Sequence, residues 1–357
     1  MPDEVGTMSR AEELLEHLED IDSLAIVCHD NPDPDTLASA LALRRIAALS
    51  GLGSTPLLYG GEITHQQNRV FVSLLGLDPI KFEDDHLARY DHFALVDSAS
   101  PGQNNPLPAD TDVRIVVDHH HTEPADAAFV DQRPDFCSTT AIFVEYLRDI
   151  GIQIHQELAT AMLFAVRRDT DGFLRNTTSN AYDAAGYLHE IGDMGLLREM
   201  ANPPVSEVTL DALGQAIHTR TVRSAYLIAN VGIITERDAV PQATDYLLNL
   251  EGIQTVLVYG INGNVIHVSA RSKDPRIQLG KLLDELFGDV GSAGGHDNMA
   301  GAQIPLGLFG DESRDADDLL ELAGNIIESR FFRSAGYDNG PGDVAQNYVR
   351  AGAPTER

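Results

Sequence analysis

The chain has 357 residues, 43% of them hydrophobic, which suits two domains of about 100–200 residues, each with its own core. Its 55 acidic residues outnumber 25 basic ones, of which only Lys81, Lys273 and Lys281 are lysines; the net charge of −30 excludes a basic field that could hold long nucleic acid by counterion release. No stretch approaches the ~18–20 consecutive apolar residues of a membrane span, and the acidic start lacks the regions of a secretory signal, so a cytoplasmic setting without membrane contact is expected. Cys28 and Cys137 have no metal-like spacing and read as reduced thiols. Acidity with so little lysine also suggests a halophilic host, whose salt screens self-repulsion.

Residues 9–20 read as an amphipathic helix. The run SLAIVCH (23–29) ends in polar residues, as a buried parallel strand does. After the turn-prone NPDPD, residues 36–51 have helical periodicity and stop at Gly51. Apolar runs at 54–60, 92–98 and 113–119 read as further strands, and 138–151 and 155–169 as helices. This alternation predicts an α/β domain with a doubly wound, mainly parallel sheet, its ligands at the carboxyl ends of the strands.

A break at Asn202-Pro203-Pro204 precedes a connecting helix over 205–220. A smaller α/β unit follows. It has a strand at 225–235, a helix at 240–252 and a hairpin over 253–272 with a tight turn at Asn262-Gly263. A helix at 277–288, a glycine-rich loop and a helix at 316–332 complete it. The expected division is a catalytic domain at 1–200, a linker helix at 201–222, a substrate-binding domain at 223–333 with a cleft between the two, and a Gly-, Asn- and Pro-rich flexible tail at 334–357.

The chemistry gathers at the element ends. The first strand is followed by His29-Asp30-Asn31-Pro32-Asp33-Pro34-Asp35, the run at 92–98 ends in Asp97-Ser98, and the run at 113–119 leads into Asp118-His119-His120-His121. The helix at 155–169 ends in Asp169, followed by Thr170-Asp171-Gly172-Phe173. In a parallel sheet these clusters converge on one edge. Asp33, Asp35, Asp97 and Asp169 would repel one another there unless cations neutralised them. Two divalent ions nearly balance four carboxylates, and mixed carboxylate and imidazole donors favour manganese, iron or zinc over calcium. Two such ions about 3.5–4 Å apart can activate a water and clamp a phosphoryl transfer. One carboxylate must then be shared, and Asp97, alone at its strand end, is the candidate. Taken singly, each aspartate is an ordinary turn or cap residue; their convergence carries the argument.

These segments resemble the motifs of the DHH phosphoesterase family. HDNPDPDTLASALAL is similar to its first motif, VDS to the second, DHHH to the third and DTDGF to the fourth. GSAGGHDNMAG (291–301) resembles the GGHxxAAG signature of the partner DHHA1 domain, so the likeness covers roughly residues 20–330. It implies two divalent metal ions, Mn2+ foremost. His29 and Asp33 would bind one and Asp35 and His119 the other, with Asp97 bridging and Asp169 completing the site. It also implies catalytic roles for Asp118, as the carboxylate orienting a histidine, and for His120, facing the scissile phosphate. Gly294, Gly295 and His296 would line the substrate side of the cleft. Arg271, at a strand end, could fork onto a phosphate; Arg175, His65, Gln67 and Asn68 are weaker candidates. The sequence departs from the family pattern at Pro34, Asp171 and Met299, none of them a ligand.

The resemblance implies a metal-dependent hydrolase of phosphoester bonds in short nucleotide substrates: short oligoribonucleotides, as for a nanoRNase, 3′-phosphoadenosine 5′-phosphate, or linear and cyclic dinucleotides. A RecJ-like single-strand-specific 5′–3′ exonuclease and a non-catalytic replication-associated subunit are the alternatives. The pyrophosphatase branch is disfavoured, because the glycine–histidine segment stands where that branch has a lysine- and arginine-rich motif. A homodimer is compatible with the sequence, although no residue requires one.

Overall fold

The computed structural model describes residues 8–63, 65–295, 297–307 and 316–336. It forms two compact units, one up to Pro203 and one from Pro204.

The first unit opens with α1 (Arg10–Glu19), β1 (Ala25–Val27), α2 (Pro34–Ala47), β2 (Leu57–Tyr59), α3 (Gln66–Leu74), β3 (Ile80–Lys81) and α4 (Asp85–Arg89). It continues with β4 (Phe93–Val96), β5 (Ile115–Asp118), β6 (Phe129–Gln132), α5 (Thr139–Asp149), α6 (Gln156–Asp169), α7 (Ser179–Ile191) and α8 (Met194–Ala201). Among the described residues its sheet has six strands in the order β3-β2-β1-β4-β5-β6, and every pairing is parallel. Every residue of β1, β4 and β5 is buried, because the sheet is packed on both faces. On one face Ile26, Ala94, Val96, Ile115 and Val117 pack with residues of α2, α5 and α6. On the other, Ala25, Val27, Leu95 and Val116 meet Leu107, Val113 and Leu87 of α4.

From β1 the chain moves outward to β2 and β3, then returns to place β4 on the other side of β1. The β1/β4 boundary is therefore a topological switch point, where the outgoing loops part and leave a crevice. The strand runs read from the sequence were too long, because each included the polar residues that turn away from the sheet. The weak edge strands β3 and β6 were not legible: β3 is two exposed residues, and β6 has only alternate residues buried.

The second unit contains α9 (Glu207–Thr219), β7 (Thr221–Arg223), β8 (Tyr226–Ile233), α10 (Ala239–Leu247), β9 (Thr255–Asn262) and β10 (Val265–Ser272). Then come α11 (Leu279–Phe287), β11 (Ser292–Gly295), β12 (Met299–Pro305) and α12 (Ala316–Ser334). The sheet order is β11-β12-β10-β9-β8-β7, with β8 and β9 parallel and the other pairs antiparallel. The hairpin turn falls one residue later than expected: Asn262 still pairs with Val265, and Gly263, with φ 57°, begins the two-residue loop. Asn262 stays in the strand because its Nδ2 donates to the Ile234 carbonyl at 3.0 Å. The glycine-rich segment is a strand pair, β11 with β12, rather than a loop. The expected tail falls, past Gly336, outside the described residues. Among the described residues no helix is long and apolar enough to cross a membrane.

Candidate metal centre

The first motif is shaped by the start of α2. Asp33 is the N-cap, and its Oδ1 accepts from the backbone N–H groups of Asp35 (2.9 Å) and Thr36 (3.2 Å). Pro34 occupies the first helical position, where a missing N–H breaks no bond, so the unusual proline fits this loop. Asp35 follows and is 2% exposed. Asn68 of α3 supports the loop, its Nδ2 donating to the Pro32 carbonyl at 3.0 Å.

Asp97 leaves β4 with φ 58°, a left-handed conformation rare for a residue other than glycine, and its N–H is tied to the Val117 carbonyl at 3.0 Å. Such strain is kept where the surroundings dictate the conformation. Here it turns the carboxylate to lie between two histidines. His29 Nε2 is 3.6 Å from Asp97 Oδ2, and His119 Nε2 is 3.5 Å from Asp97 Oδ1. His29 Nε2 is also 3.6 Å from Asp33 Oδ1. His119 Nε2 is 3.5 Å from Asp169 Oδ2 and 3.9 Å from Asp35 Oδ2. These separations exceed a hydrogen bond yet stay below two metal–ligand bonds of about 2.0–2.2 Å each. His29, Asp33 and Asp97 thus form one group able to hold a cation; Asp35, His119 and Asp169 form a second, and Asp97, His119 and His120 a third. Each histidine that aims Nε2 inward has its other nitrogen near a backbone carbonyl: His29 Nδ1 lies 2.9 Å from Asp30 O and His119 Nδ1 3.4 Å from Phe136 O.

The electrostatics fit the same reading. Burial, together with the neighbouring aspartates, raises Asp35 to about 7, Asp97 to about 6 and Asp169 to about 10. Burial opposes charge on His29, but Asp33 and Asp97 outweigh it and raise the imidazole to about 9. Protons thus collect where anions are crowded, the situation a divalent cation relieves. The oxygen and imidazole donors suit such an ion.

Asp118 is fully buried, with Oδ1 2.8 Å from His120 Nδ1. That contact outweighs burial and holds Asp118 below the usual carboxylate range, and it raises His120 to about 9. His120 Nδ1 is also 3.7 Å from Asp97 Oδ1, while half of its side chain faces solvent. His121 is exposed and joins none of the three groups. Arg175 Nη2 donates to the Asp169 carbonyl at 3.1 Å. His65 caps α3, its Nδ1 accepting from Gln67 N. Gln67 lines a cavity of about 140 Å³ with Arg167, Arg168 and Asp171.

In the second unit Gly294 and Gly295 lie in β11, paired with Gly301 and Ala300; His296 lies outside the described residues. Arg271 is already engaged: Nε contacts Asp245 at 2.7 Å and Nη1 donates to Ser269 Oγ and the Ala270 carbonyl. A phosphate would have to compete with Asp245. Sequence reasoning missed Thr139 and Thr140 at the start of α5, which bond directly to Asp35 and Asp97. Their only signal was Ser138-Thr139-Thr140 ahead of an apolar run, an ordinary helix-capping pattern.

A parallel sheet with carboxylates and imidazoles converging at its switch point defines an α/β protein with a candidate divalent-metal centre. The chain belongs to the DHH/DHHA1 family: the DHH family, N-terminal domain, matches residues 23–166, and the DHHA1 domain matches residues 223–329. It is 38% identical over 315 residues to an uncharacterized protein of Methanocaldococcus jannaschii, covering 88% of this chain and 64% of that one. It is 24% identical over 332 residues to the cyclic-di-AMP phosphodiesterase PdeA of Listeria monocytogenes, covering 85% of this chain and 48% of that one. The chain thus spans less than two thirds of the length of either relative. An exopolyphosphatase-related protein from Bacteroides fragilis shares the fold, with a TM-score of 0.68 at 18% identity over 93% of this chain and 100% of that one.

Proposed function

We propose that the chain is a manganese-dependent phosphoesterase acting in the cytoplasm on short nucleotide substrates: short oligoribonucleotides, 3′-phosphoadenosine 5′-phosphate, or linear and cyclic dinucleotides. The observation that carries this reading is the division of Asp97, one carboxylate oxygen toward His29 and the other toward His119. His29, Asp33 and Asp97 would hold one divalent ion, and Asp35, His119 and Asp169 a second that shares Asp97. When bound, such ions supply Lewis-acid polarisation of a phosphoryl oxygen and a nucleophile at neutral pH. His120, kept protonated by Asp118, donates toward charge developing on the phosphate or its leaving group. Residues 223–333 would hold the remainder of the substrate, with Gly294, Gly295, His296 and Arg271 as contacts. A phosphodiesterase among the relatives supports the reaction class. The lysine-poor surface of net charge −30 favours short substrates and suits a halophilic cytoplasm.

The test is a side-by-side assay of the purified chain with Mn2+ at low and high salt. Its substrates are RNAs of about two to five nucleotides, 3′-phosphoadenosine 5′-phosphate, cyclic di-AMP and a long single-stranded DNA. Cleavage of a short substrate, lost on chelation and in Asp97→Ala, is the expected result. Preference for the long DNA would replace this reading with a RecJ-like exonuclease, and inertness toward all of them would favour a non-catalytic subunit.

A further inference from the structure

The first turn of α5 is bonded to two of the candidate metal ligands at once. Thr139 N donates to Asp35 Oδ2 and Thr140 N to Asp35 Oδ1, both at 2.9 Å. Thr139 Oγ1 donates to Asp97 Oδ1 at 2.9 Å. Asp35 comes from the first turn of α2 and Asp97 from the end of β4, so one helix terminus fixes carboxylates from two separate elements. Ser138 caps the same helix with its own hydroxyl. Thr139 and Thr140 are both fully buried. The two hydroxyls nevertheless differ in what they reach: that of Thr140 lies 3.3 Å from the Asp35 backbone carbonyl and from Ser39 Oγ, and its bonds go to neither carboxylate.

We propose that Thr139 is a positioning residue for metal binding, setting the rotation of the shared Asp97 carboxylate. The Asp97 backbone is held by its left-handed φ and by Val117, which leaves the carboxylate free to turn about its own side-chain bonds. The Thr139 hydroxyl pins Oδ1, the oxygen that faces His119, and so keeps Oδ2 toward His29. Loss of that one hydrogen bond lets the carboxylate leave the orientation in which each oxygen serves a different group. The inference rests on the metal reading above but concerns a residue outside the ligand set.

The experiment titrates the full metal-free chain with Mn2+ by calorimetry in four forms: wild type, Thr139→Val, Thr139→Ser and Thr140→Val. Thr139→Val should weaken binding of at least one Mn2+ by about 10–100-fold, the usual effect of losing a partner that orients a ligand. Thr139→Ser, which keeps the hydroxyl, and Thr140→Val, equally buried on the same turn, should each stay within about threefold of wild type. Equal binding by Thr139→Val and wild type would overturn the proposal, as would an equal loss in Thr140→Val, which would mark a merely structural helix start. If Thr139→Val does not fold, Thr139→Ser is compared with Thr139→Ala, and the serine form must bind Mn2+ at least about tenfold more tightly. Absence of Mn2+ binding in the wild type would overturn the metal reading itself, and this inference with it.

Discussion

His120 is set apart from the other two histidines of the centre by a single contact. His29 and His119 use a backbone carbonyl near Nδ1 and turn Nε2 toward carboxylates, the arrangement of metal ligands. His120 instead has Nδ1 against the buried Asp118 carboxylate, which raises it to about 9 and leaves its ring half exposed. The raised value alone does not separate it from His29, which reaches a similar one; the buried carboxylate behind Nδ1 and the half-exposed ring do, and they assign His120 to the chemistry more than to metal retention. Replacing it by glutamine should lower kcat about 10²–10⁴-fold while Mn2+ affinity stays near that of wild type. Asp118→Asn should act on the same proton. The raised value depends first on Asp118, so its loss lets His120 deprotonate at lower pH, and the basic limb of the rate profile should move down from about 9. A glutamine variant that loses its metal as well would place His120 among the ligands.

At the scale of elements, what the sequence made legible and what it hid differ in kind. The strand ends that carry His29, Asp97 and Asp118 were readable because buried parallel strands are continuous apolar runs, and the residue that breaks each run is by position at the sheet edge. The α5 turn was unreadable as part of the centre, since its bonds to Asp35 and Asp97 join residues about 40 to 105 apart in sequence. The strand pair β11 and β12 was mistaken for a loop because glycines hide β pairing. Next to that pair the packing is close: a Cβ on Gly280 of α11 would lie 2.3 Å from the Gly295 carbonyl oxygen, so the helix rests directly on the β11 backbone. Gly280→Ala must push α11 and β11 apart. It should destabilise the second unit by about 1–3 kcal/mol and weaken nucleotide binding, with Mn2+ binding unchanged. Denaturant melts and a nucleotide titration check both parts; an alanine form as stable as wild type would show that the helix gives way at no cost.

Over the whole molecule, the candidate centre should make stability depend on pH, and a metal bound there would add to that dependence. In the unfolded chain the carboxyls titrate near about 3.9, whereas in the fold burial and mutual repulsion raise Asp35 to about 7, Asp97 to about 6 and Asp169 to about 10. Between these limits the metal-free folded state binds more protons than the unfolded state, so its stability falls as pH rises. His29, raised to about 9, acts in the same direction: its contribution is complete below its unfolded value and is lost as pH climbs through the folded one. A divalent ion takes the place of those protons and must compete with them, so its affinity rises with pH over the same window. The metal-free chain should therefore melt at lower temperature at about pH 8.5 than at about pH 5, and saturating Mn2+ should raise Tm more at the higher pH. At about 1,000 times Kd the ion contributes about 4.1 kcal/mol, which is roughly 8–16 °C for a unit of this size. The comparison needs constant ionic strength, since a net charge of −30 makes self-repulsion itself depend on salt. A metal-free Tm that does not change with pH would mean that the crowded carboxylates are not strained, and the case for cations as their counter-charge would lose its physical basis.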